Sequence, residues 1–120
     1  MNTPTNFPAI PGIDTADGLA RMMNRATLYE KVLRDFHGRF VEEMSQLQAL
    51  LSAGDYEEAA HRVHSAKGLA GTIGAAQLQE SARQLEAPLR DGGAPDAALV
   101  QAFASELQRV LDGIRQAFPA

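Results

Sequence analysis

No cysteine occurs in this 120-residue chain, which excludes both a disulfide framework and a thiolate metal site. The opening residues, Met1 to Ile10, have neither a basic start nor an apolar run, so they do not read as a secretory signal. No stretch reaches the apolar length needed to span a bilayer. No period-2 alternation is long enough for a sheet, and no fixed repeat is visible. There is no glycine-rich phosphate loop between a strand and a helix, which argues against ATP binding and self-phosphorylation. The formal net charge of -4 argues against nucleic acid as the main partner.

One further absence is local. The chain carries fifteen acidic residues, yet none falls between Ala59 and Gln79. Arg62 and Lys67 are the only formal charges there. The middle of the sequence is therefore a mildly basic island in an acidic protein, suited to a phosphoryl group and to a carboxylate-rich partner.

What remains reads as helix. Met1 to Pro11, with three prolines, is expected to be an extended leader or linker, with one domain over residues 12–120. Asp14 or Thr15 can cap a short helix to about Met23. Leu28, Val32, Phe36, Phe40, Met44, Leu47 and Leu51 recur at spacings of three and four, which predicts one long helix from Asn24 or Thr27 to Leu51. Gly54 closes it and Asp55 caps the next. That helix runs to Gly74 with Val63, Ala66, Ala70 and Ile73 as its apolar stripe. A further helix spans Ala76 to Arg90, Pro88 loosening its last turn. After the loop Asp91 to Pro95, a final helix buries Leu99, Phe103, Leu107, Val110 and Ile114, and Phe118 to Ala120 fray. The expected fold is all-α: an up-down-up-down antiparallel four-helix bundle preceded by a short N-terminal helix.

The chemistry concentrates on the central helix. His64 lies about 100° round from Val63 and flanks the apolar stripe. Lys67 and Gly68, at i+3 and i+4, are its surface neighbours. A glycine inside a helix costs about 1 kcal/mol relative to alanine. Helical side chains lean toward the N-terminus, so a side chain at 68 would cover the His64 turn. Gly68 uncovers the imidazole, Gly71 extends the bare strip, and Lys67 brings a cation close. A neutral imidazole is a nucleophile near neutral pH. A surface histidine beside an incidental glycine is the plainer reading of the spacing.

His64-Ser65-Ala66-Lys67-Gly68 resembles the His-x-x-Lys-Gly hallmark of the histidine-containing phosphotransfer domain. The likeness continues through Leu69 to Ala75, Leu78 and Leu85-Glu86, and upstream through Pro11-Gly12-Ile13-Asp14, Gly18 to Arg21 and Leu28-Tyr29. That opening is similar to the one found where such domains end a hybrid sensor kinase. The resemblance implies a phosphorelay carrier. His64 would take a phosphoryl group on Nε2 from a receiver-domain aspartate and pass it to another. Lys67 would offset phosphoryl charge and Gly68 would admit the partner. Glu86 would orient the ring through Nδ1–H, or else be a solvated helix residue. Ala60, His61 and Gly71 would join Lys67 and Gly68 in the docking face. No cofactor is expected on this chain; Mg²⁺ is expected on the receiver. The implied partners are receiver domains and a sensor kinase. The implied state is a monomer in the cytoplasm, or tethered to the inner face of the membrane within a hybrid kinase.

Two rivals fit less well. Glu58-Ala59-Ala60-His61 is a Glu-x-x-His motif of the kind used by di-iron bundles, but the second such motif is missing. His61 with His64 has no third ligand fixed by sequence. A module that only docks to receivers would not need both His64 and Lys67.

Overall fold

A computed structural model describes residues 7–119. Six helices follow one another: α1 Thr15–Arg21, α2 Ala26–Phe40, α3 Glu43–Ala53, α4 Tyr56–Ile73, α5 Ala76–Arg90 and α6 Ala97–Ala117. In cross-section, α4 packs on α5, α5 on α6, α6 on α2 and α2 on α4, closing a four-membered ring. Helix α3 continues the α2 arm and leans on α4, while α1 lies against α4 and α2.

The ends of α4 are set by its flanking residues. The Asp55 carboxylate accepts from the Glu58 amide at 3.2 Å, satisfying one of the free donors of the first turn. Gly74 ends the helix at φ 88°, a left-handed conformation that side chains resist. There its carbonyl accepts the Asp14 amide at 2.8 Å, and a Cβ on Gly74 would lie 2.5 Å from the Asp14 carbonyl oxygen. The neighbouring Ile73 carbonyl accepts the Tyr29 hydroxyl at 2.6 Å. Gly18 leaves room for that tyrosine, since a Cβ there would lie 2.1 Å from its oxygen. Burial first, then Asp14 and Asp17, pushes the Tyr29 hydroxyl above its ordinary pKa. The C-terminal end of α4 is thus tied to α1 and α2.

Several expectations are corrected. The long helix from residue 24 or 27 to 51 is two helices, broken at Val41 and Glu42. No proline or glycine marks the break. Glu42 takes φ -103°, ψ 8°, and the turn delivers Glu43 into the protein, where it meets Arg62. The buried stripe of α2 is Tyr29, Leu33, Phe36 and Phe40, one position later at its start than expected; Leu28 is exposed. The α5 bounds, Ala76 to Arg90 with Pro88 inside, are as expected. The leader expected over residues 1–11 is not free at its described end. Ile10 is buried and Phe7 stacks on Tyr29, with ring centres 5.1 Å apart; residues 1–6 lie outside the described ones. Phe118 does not fray. Its amide bonds to the Ile114 carbonyl, its ring meets Phe7 edge-on and Arg34 lies over it. Ala120 lies outside the described residues.

Candidate functional site

The site grows from the alanine-rich inner face of α4. Ala59, Ala60, Val63, Ala66, Ala70 and Ile73 are all buried. Such small side chains let α5 approach closely, and its own buried stripe is Leu78, Ala82, Leu85 and Leu89. Beside the two stripes, one polar residue from each helix meets the other. His64 flanks Val63 on α4 and keeps a 55% exposed side chain. Glu86 follows Leu85 on α5 and is 3% exposed.

Glu86 is the hub. Its Oε2 lies 2.9 Å from His64 Nδ1 and its Oε1 lies 2.8 Å from Lys67 Nζ. Arg90, one turn further along α5, donates from Nε to Oε2, and its Nη2 comes within 3.4 Å of His64 Nδ1. Burial pushes the Glu86 carboxyl upward, but hydrogen bonds from Lys67, Arg90 and His64 outweigh it and hold the pKa down at about 2. The group is therefore an anion at neutral pH, and an anionic carboxylate can only accept. Its bond to the imidazole places the ring proton on Nδ1, leaving the Nε2 lone pair free.

Beside the ring the surface is bare. A Cβ on Gly68 would meet nothing within 4 Å. Gly71 differs: a Cβ there would come 2.3 Å from the Gln79 amide nitrogen. The tip of the exposed Gln79 side chain lies over that strip, and Gly71 is half-buried beneath it. Ala60, expected on the docking face, is 4% exposed and belongs to the core. His61 is exposed, its Nδ1 3.8 Å from the Glu58 carboxylate. Among the described residues, no three His, Asp or Glu side chains gather as a group able to hold a metal ion. Lys67, expected to reach toward the ring, rests instead on the far oxygen of the carboxylate that holds it.

Sequence reasoning missed one member of the site, Arg90, and one structural residue outside it, Glu43. Arg90 was legible as the i+4 partner of Glu86 on one helix face. Glu43 was hidden inside an apolar repeat. It holds Arg62 by two bonds of 3.0 Å, to Nε and to Nη2. These bonds raise the pKa of Arg62, burial opposing and the charges of Glu43 and Glu58 assisting.

A scan against protein-family models finds the Hpt domain over residues 31–117. No curated protein and no solved structure matches the chain.

Proposed function

The chain belongs to the Hpt domain family, whose members carry phosphoryl groups in two-component signalling, and we propose that His64 is its carrier residue, exchanging the group with receiver-domain aspartates. One observation supports this above the others. The Nδ1 side of the ring is held by a buried anion, while the His64 side chain stays 55% exposed and Gly68, one turn on, adds no cover.

In the forward step, Nε2 attacks the phosphorus of a receiver's aspartyl phosphate. The N–P bond forms, the acyl O–P bond breaks, and the aspartate leaves as a carboxylate. Because Nδ1 keeps its proton, the ring becomes cationic as the group arrives, and the Glu86 anion stabilises that charge. Lys67, one helical turn from His64, would turn from Glu86 toward the phosphoryl oxygens. The reverse step restores the neutral ring. Phosphoryl transfer asks mainly for positioning and charge stabilisation, and these residues supply both. Mg²⁺ belongs to the receiver's acidic pocket in this reading. The chain acts as a phosphocarrier, not as an ATP-dependent kinase.

Incubation with a radiolabelled phospho-receiver and Mg²⁺ tests the proposal. Acid-labile label should appear on the parent and be absent from His64→Gln. Equal labelling of the two proteins would sink the assignment.

A further inference from the structure

A second open glycine lies inside a helix, on the opposite side of the bundle. Gly38 is in the last turn of α2, and a Cβ there would meet nothing within 4 Å. No turn, positive φ or close packing calls for glycine at this position, and glycine weakens a helix interior. It opens onto a cleft of about 380 Å³ between α2 and α6, lined by Arg34, His37, Gly38, Ile114, Arg115 and Phe118. In the ring of four helices the α2–α6 seam is opposite the α4–α5 seam that holds His64 and Glu86. A partner here would leave the His64 face open.

The lining has a definite character. Phe118, partly exposed over the buried Ile114, is the apolar wall, and the bare backbone at Gly38 allows close approach. Arg34, His37 and Arg115 stand around it. Arg34 is partly engaged: its Nε donates to Glu30 at 3.0 Å and its Nη1 to the Phe118 carbonyl at 3.4 Å. Arg115 forms no ion pair among the described residues. With Glu30 as the opposing charge, the rim stays positive in a protein whose net charge is -4. No buried polar side-chain atom lacks a partner among the described residues, so nothing here is set to fix a small enclosed ligand. An open groove with an apolar wall and exposed cations matches an extended segment that alternates apolar and acidic side chains.

We infer that the α2–α6 cleft docks an acidic, partly apolar peptide segment of a partner protein, holding the carrier while its His64 face exchanges phosphate. The probe is a fluorescein-labelled hexapeptide of four acidic residues around a Leu-Phe pair. A lysine-for-acid peptide of the same length serves as control. Binding is followed by anisotropy and by amide chemical shifts. Saturable shifts are expected at Gly38 and in the last turn of α6, weakening steeply with salt. Arg115→Glu should lower the affinity at least tenfold. Gly38→Leu, which fills open space, should abolish binding with the bundle still folded by circular dichroism. Phosphoryl uptake from an isolated receiver should be unchanged in both variants, which separates this inference from the role of His64. Equal binding of the lysine peptide, shifts centred on His64, no saturable shifts, or affinity unchanged by Arg115→Glu would overturn it.

Discussion

Two carboxylates lie at the same depth in this protein, Glu43 and Glu86, each 3% exposed, and both are answered by cations or imidazole from α4. Glu43 gives both oxygens to one guanidinium, that of Arg62. Such a bidentate pair has one good geometry, and it pins the start of α3 to α4. Glu86 is shared among His64, Lys67 and Arg90. No single donor saturates it, so one can leave while the others hold. Equal burial therefore serves opposite ends. Concentrated bonding makes a staple, and distributed bonding leaves no one donor indispensable.

The largest expected effect comes from acid. The Glu86 carboxyl is held down at about 2 from an ordinary 4.5. A depressed carboxylate contributes stability that is fully present above the unfolded-state value and is lost as pH falls through the folded one. At about 1.36 kcal/mol per pKa unit, the contribution is on the order of 3 kcal/mol at most. Glu86→Gln should thus be less stable than the parent to urea at pH 7, and the gap should close between pH 4.5 and 2. A gap that did not change over that window would show that the charge of Glu86 adds nothing to the fold.

Glu43→Ala comes next. Removing the partner of a half-buried guanidinium should cost about 2 kcal/mol, read as a lower urea midpoint at neutral pH. Phosphoryl uptake by the folded variant should stay near the parental rate, whereas Glu86→Ala should slow it at least tenfold. Equal loss of uptake in the two alanine variants would erase the distinction between staple and site.

The same contrast explains what could be read beforehand. The helical class, the α4 limits and the grouping of His64, Lys67 and Gly68 follow from local rules: caps at Asp55 and Gly74, an apolar stripe, and side chains three or four residues apart; Glu86, on the next helix, was reached only through the family resemblance. Arg90 obeys the same spacing rule and was within reach. The break after Phe40 was not, because its cause is nineteen residues away. Val41 and Glu42 carry no breaking signal, and only the pairing of Glu43 with Arg62 across two helices gives the turn a purpose. Ala60 was misplaced for a related reason. Small residues on a helix look bare in sequence, yet Ala60 is buried in the core and the Gln79 side chain lies over Gly71. Gly68 and Gly71 are indistinguishable by composition and differ only in what the next helix brings to them.

The smallest effects are the most discriminating. Arg90 and Lys67 bond the same carboxylate, but Arg90 has a 55% exposed side chain and Lys67 a 28% exposed one. Exposed ion pairs contribute about 0–1 kcal/mol, and the carboxylate keeps its other donors when either cation is removed. Double-mutant cycles with Glu86→Gln should give coupling below about 1 kcal/mol for Arg90→Gln and somewhat more for Lys67→Gln. The Glu43–Arg62 cycle should give a larger coupling than either. Under the role proposed for it, the Lys67 variant should also slow phosphoryl uptake more than its stability loss accounts for. If Lys67 coupled to Glu86 as strongly as Arg62 does to Glu43, the lysine would be a second staple, and the phosphoryl charge would have to be met from the receiver's side.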